Sequence, residues 1–188
     1  MIYIIRHGQT EMNYKRRLQG RSDVPLNDAG RAQAKEAAGR LAGITFDSVY
    51  SSPLKRAVET AEILVPSIPP VLDDLLLEMD YGPYEGCDLT NLPPEVLVFF
   101  SDFIHEPAPA GMEQLNDVVK RAGEFLEEIR YLEGNILIST HAIAMKGLIE
   151  YLTPEAKGKY WNIFIGNCAI YQAENHSGIL GIPTELKP

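Results

Sequence analysis

Two of the chain's four histidines each follow a short apolar run, and two arginines stand close by. His7 lies in Arg6-His7-Gly8 directly after Ile2-Tyr3-Ile4-Ile5, and His141 ends Ser139-Thr140-His141 after Ile136-Leu137-Ile138. Arg56 follows a third such run, Phe46 to Tyr50, within Ser51-Ser52-Pro53-Leu54-Lys55-Arg56. One histidine or arginine in such a place is more often structural than chemical. Gly8 improves the odds modestly, because glycine lets the backbone turn sharply and approach a ligand. Thr10, Asn13, Gln19 and Gly20 add groups that hydrogen-bond phosphate oxygens. Taken as a set, two imidazoles and two guanidinium forks suit a phosphate dianion: the forks clamp oxygens and one imidazole attacks phosphorus. Phosphoryl transfer depends on in-line positioning and positive charge around the equatorial oxygens. No ligand cluster with metal spacing is visible, so neither a metal nor another cofactor is expected.

These residues come together only if the elements behind them do. Short continuous apolar runs suit strands covered on both faces. Asn27 can cap a helix running to about Leu41, and Pro53 suits the start of one continuing to about Leu64. Leu115, Val118, Val119, Ala122, Phe125, Leu126 and Ile129 form one apolar helical stripe, whose ordinary meaning is core contact. Strands alternating with helices predict an α/β fold: three layers, a mostly parallel central sheet, helices on both faces. Ligands of such sheets bind at the carboxyl ends of the strands, where all three polar strand ends fall. Residues 79–111 are rich in proline and weak in periodicity. They are expected as a small lid-like excursion within a single domain spanning 1–188, with a short helix near Glu95 to Phe103.

Length and composition fit one globular unit with a substantial core. The formal net charge of −9 argues against nucleic acid as a partner, and the apolar runs are too short to cross a membrane. Cys87 and Cys168 form no C-x-x-C pair, and no secretory signal opens the chain; reduced thiols in a cytoplasmic protein are expected. No lysine or arginine occurs from Ala57 to Val119, a stretch with many acidic residues. Lys15, Arg16, Arg17 and Arg21 precede it, either as ordinary solvated surface or as a patch that steers anions. Neither cysteine begins a C-x5-R loop, and there is no G-x-S-x-G elbow or Walker-type loop.

The motifs resemble those of the histidine phosphatase superfamily, in its phosphoglycerate mutase-like branch. RHGQTEMN (6–13), LQGRSDVPLNDAGRAQA (18–34), SSPLKRAVETA (51–61), LLEMDYGPYEG (76–86) and STHA (139–142) follow one another in the family's order. The resemblance implies that His7 is the nucleophile that becomes phosphohistidine. It places Arg6, Arg56 and His141 around the transferred group, with Asn13 assisting, and makes Glu78 the general acid. Glu85 competes for that role from the same stretch, but the family's acid precedes the aromatic-glycine pair, so Glu85 reads as structural. Thr10, Gln19, Gly20 and Ala142 are the remaining phosphate or substrate contacts. Two positions depart from the family pattern: Ala142 stands where glycine commonly follows the second histidine, and Met12 where an aromatic is frequent.

The expected substrate is a small phosphate monoester. A mutase needs extra cations to grip a doubly anionic substrate, and 57–119 offers none; an acidic cover would repel a carboxylated or bisphosphorylated leaving group. Tyr81, Tyr84, Phe99, Phe100 and Phe103 read first as packing, and secondly as a wall for a ring-bearing leaving group. Candidates are α-ribazole phosphate, as for the short α-ribazole phosphatases, a nucleotide or phosphoserine. A degenerate binding or signalling module would lack one of the reacting groups, and all of them persist. Oligomeric state is not legible.

Overall fold

Ile2, Ile4 and Ile5 are wholly buried because β1 (Ile2–Arg6) lies inside the sheet with helices on either side. Alternation sorts its side chains. Ile2 and Ile4 pack with α5 (Leu115–Ile129) and α6 (Ala142–Leu152), whereas Tyr3 and Ile5 pack with α2 (Asp28–Arg40) and α3 (Lys55–Leu64). Each such isoleucine contributes roughly 1.5–3 kcal/mol of apolar burial. β4 (Ile136–Thr140) repeats the pattern, Ile136 and Ile138 facing one helical layer and Leu137 the other.

A computed structural model describes residues 1–156 and 158–187. Its main sheet has six strands in the order β3-β2-β4-β1-β5-β8, with β2 Ser48–Ser51, β3 Val71–Leu72, β5 Ile170–Ala173 and β8 Thr184–Glu185. β1, β2, β3 and β4 run parallel; β5 runs against them, and β8 pairs antiparallel with β5. A hairpin of β6 (Asn175–His176) and β7 (Ile179–Leu180) lies apart. The α/β expectation, mostly parallel with helices on both faces, is therefore met. No helix among the described residues is long and apolar enough to cross a membrane.

Several boundaries move. Asn27 caps α2 as expected, its side chain accepting from the Gly30 amide at 2.8 Å. Pro53 does not open α3: Leu54 is the extended cap residue, and the helix begins at Lys55 after a turn through Ser52 and Pro53. The middle strand starts two residues later than Phe46, whose ring packs edge-on against Tyr3. In the 79–111 segment, α4 spans Pro94–Ser101, so Phe103 lies beyond its end. Met79, Tyr81, Val96 and Phe99 of this segment form a third apolar cluster with Met112, Ile143 and Trp161.

Candidate active site

The carboxyl ends of β1, β2 and β4 meet, bringing His7, Arg56 and His141 into direct contact. His7 and His141 are buried with ring centroids 5.1 Å apart. The His7 amide donates to Thr140 O (2.9 Å) and the Asn167 side chain to His7 O (3.0 Å). His7 Nδ1 lies 2.7 Å from Gly8 O, so it carries the ring proton and leaves Nε2 with a lone pair. Arg56 Nε donates to that Nε2 and to His141 Nδ1, each at 3.2 Å. His141 Nε2 therefore bears the other proton and donates to Ser52 Oγ at 2.8 Å. Burial, then the Arg56 and Arg6 charges, hold His7 well below the usual histidine range. Burial, Arg56, His7 and Arg6 do the same for His141. Both rings are neutral at pH 7.

Arg56 is wholly buried in the first turn of α3. Its two terminal nitrogens donate to Ser22 O (2.8 Å) and Gly20 O (2.7 Å), so it also fixes the loop after Gln19. Burial pulls its guanidinium down to about 10, against the raising influence of Glu78 and other acids. Arg6 holds Ile165 O through a terminal nitrogen, while its Nε is buried without a partner among the described residues. Burial lowers its pKa and Glu78 opposes that shift.

Glu78 is buried at the amino end of α6. His141 occupies the cap position of that helix but makes no side-chain cap bond. Glu78 supplies it from elsewhere in the chain: its carboxylate accepts from the amides of Ile143 (3.2 Å) and Ala144 (3.0 Å), and from Met79 N at 2.9 Å. Arg121 fixes the approach to this residue, donating to Leu75 O (2.8 Å) and Leu77 O (2.6 Å) while paired with Glu113. Thr140 Oγ1 donates to Leu76 O at 2.8 Å, tying β4 to the same turn.

Thr10 caps the one-turn helix α1 (Glu11–Tyr14), accepting from Asn13 N, and donates to Gln19 Oε1 at 2.7 Å. Gln19 Nε2 is buried without a partner among the described residues. Asn13 Oδ1 accepts from Thr10 N and lies 3.4 Å from Asn167 Nδ2. Gly20 is a close-packed backbone position, where a Cβ would lie 2.4 Å from Met79 O. Ala142 is the first residue of α6. Glu85 lies on the Arg21–Ser22 loop, accepting from both amides and from the Ser22 hydroxyl. Arg21 donates to Glu78 O at 2.9 Å, and Arg17 pairs with Asp88; both are tied to neighbouring groups. Acids of the 57–119 stretch are paired in turn, Glu113 with Arg121 and Asp102 with His105.

Sequence reasoning did not single out Ser52, Thr60, Asn167 or Arg121. Thr60 Oγ1 accepts from Gly8 N at 3.1 Å and donates to Arg56 O at 2.7 Å, joining two site residues. The only available signal was place: Ser52 and Thr60 sit in the same motif as Arg56, whereas Asn167 lies in a stretch without periodicity.

The arrangement offers an imidazole lone pair beside buried cationic donors, with a carboxyl group at a helix amino end. Comparison with known proteins gives it a family. The profile described as "Histidine phosphatase superfamily (branch 1)" matches residues 2–179. The chain is 34% identical over 166 residues to phosphoglycerate mutase-like protein 4 of Arabidopsis thaliana, covering 83% of this chain and 72% of that protein. It is 31% identical over 176 residues to putative phosphoserine phosphatase 2 of Hydrogenobacter thermophilus, covering 90% and 86%. Among solved structures, a mutant phosphoserine phosphatase from Entamoeba histolytica, in complex with phosphoserine, superposes with a TM-score of 0.84. Its identity is 26%, over 99% of this chain and 94% of that one.

Proposed function

Because the chain belongs to the histidine phosphatase superfamily and is a phosphatase of that type, we propose that it hydrolyses a small phosphate monoester through a phosphohistidine at His7. The observation that carries the reading is the tautomer of His7: Nδ1 is engaged by Gly8 O, and Nε2 presents its lone pair beside Arg56.

His7 Nε2 attacks phosphorus as the bond from phosphorus to the ester oxygen breaks. Glu78, as the carboxylic acid, gives its proton to that oxygen, and the alcohol leaves. The amides of Ile143, Ala144 and Met79 then stabilise the carboxylate left behind. In the second half Glu78 takes a proton from water, whose oxygen attacks phosphorus. The phosphorus–nitrogen bond breaks, its electron pair returns to Nε2, and inorganic phosphate departs. Arg6, Arg56 and His141 meet the equatorial oxygens, and removal of one such donor lowers turnover by roughly 10²–10³. Asn13 and Gln19 add hydrogen bonds; a phosphate oxygen at the buried Gln19 Nε2 or Arg6 Nε would remove the penalty of an unpaired donor, about 1–3 kcal/mol. Thr10, Gly20 and Ala142 shape the backbone around the anion.

The reading treats the chain as one domain in which residues 79–111 cover the site, acting in the cytoplasm. An amino-acid phosphate is the favoured substrate, supported by the phosphoserine phosphatases among the relatives. Nucleotides and α-ribazole phosphate belong in the same screen. The test is phosphate release from p-nitrophenyl phosphate in excess chelator. Wild type is expected to be active and His7→Ala inactive; equal activity in both would refute the assignment. The mutase-like relative also calls for an isomerisation assay on 3-phosphoglycerate, for which no turnover is expected.

A further inference from the structure

Lys146 is buried at 8% exposure, although lysine is seldom buried without an acidic partner. It lies on α6 three residues after Ile143, whose amide holds Glu78, and residues so spaced share a helix face. Its Nζ donates to Trp161 O at 2.6 Å and stands 5.6 Å from the Phe103 ring centroid. No carboxylate among the described residues pairs with it. Glu150, one turn further along α6, is the natural candidate, yet it accepts from Gly158 N at 2.9 and 3.2 Å.

We propose that Lys146 is a specificity-determining residue of this site, its ammonium binding an anionic substituent, a carboxylate above all, on the alcohol that phosphate transfer releases. The inference rests on the phosphohistidine reading and deepens it. An ammonium has three donors, and Trp161 O accounts for one. Its partners Trp161 and Phe103 belong to the apolar cluster that holds Met79 and Ile143, whose amides both donate to Glu78, so the ammonium sits in the cluster next to the reacting carboxyl group. Burial brings this group down to about 8, and it is charged at pH 7. A side chain needed only for packing would not carry a charge into an apolar cluster. Phe103 and Trp161 exclude water, which strengthens a charge pair formed there. The expectation that no cation is available for a second anion came from residues 57–119; Lys146 enters from outside that stretch.

O-Phosphoserine and O-phosphoethanolamine differ by one carboxylate and form the test pair. Wild type should favour phosphoserine in kcat/KM by at least about tenfold, the range for a hydrogen bond to a charged group. In Lys146→Met that ratio should collapse, chiefly through KM for phosphoserine, and Lys146→Arg should retain most of it. Lys146→Gln keeps a donor for Trp161 O and decides the matter if the methionine variant fails to fold. An unchanged ratio in a folded neutral variant, whatever happens to the absolute rates, overturns the proposal. So does a wild type that turns over p-nitrophenyl phosphate without preferring the carboxylated ester. A wild type inactive on all three esters overturns the phosphohistidine reading instead.

Discussion

Arg56 joins the two imidazoles of the candidate site to the surrounding architecture at the scale of one side chain. It contacts both imidazoles and two loop carbonyls with no exposure to solvent. Arg56→Lys loses the fork, and kcat should fall by roughly 10²–10³; a fall of less than tenfold in steady-state assays would contradict the role. The two histidines make stability depend on pH. Each has a folded pKa well below its unfolded value near 6.5, so below that pH the unfolded chain binds more protons. Stability is therefore fully present above about pH 6.5 and declines as pH falls toward the folded pKa values. The slope approaches about 1.4 kcal/mol per pH unit for each ring. Urea unfolding at several pH values should show this slope, and His7→Asn should flatten it by one proton. Glu78 was singled out through its motif as the proposed acid; its seat on the α6 amides was not foreseen, because sequence does not show which helix end a distant carboxylate caps. Glu78→Gln should depress alkyl phosphate turnover by about 10²–10⁴ and p-nitrophenyl phosphate turnover much less, since that leaving group needs little protonation. Equal losses on both would reduce Glu78 to a helix cap.

Among the elements, β1, β4 and α5 could be read because their buried faces are continuous, whereas β3 is two exposed residues that left no signal. Ile2 to Ile5 and Ile136 to Ile138 are apolar on both faces, and α5 carries an unbroken stripe. β5 and β8 gave no such signal: one has four residues, the other two exposed ones. Yet β5 matters to the site, because the chain entering it passes Asn167 under His7 and ties Ala169 O to Arg6 N at 3.1 Å. α2 contributes through close approach. A Cβ at Gly30 would meet Gln9 O at 2.1 Å, so the helix can rest against the turn after His7 only without one. Gly30→Ala ordinarily stabilises a helix by about 1 kcal/mol. Here it should destabilise by roughly 1–3 kcal/mol through overpacking and lower kcat by displacing His7. Thermal melting and kinetics on one preparation check both, and a stabilised, fully active variant would refute the packing argument.

For the molecule as a whole, the candidate site exists because β1, β2 and β4 are neighbours in the sheet and end together. The order of motifs announced that convergence; the charge distribution misled in part, since acids such as Glu85 and Glu113 are internally engaged rather than presented as a free negative cover. The chemistry derived for His7 and Glu78 uses only groups the chain supplies, so turnover should persist in excess chelator. The most direct measurement is a rapid acid-free quench during turnover of a phosphorus-labelled monoester, followed by mapping of the label. The account predicts a transient, acid-labile and alkali-stable label on His7, absent from His7→Asn. A single-step hydrolysis would leave the protein unlabelled throughout, and a label on any other residue would equally contradict His7 as the nucleophile.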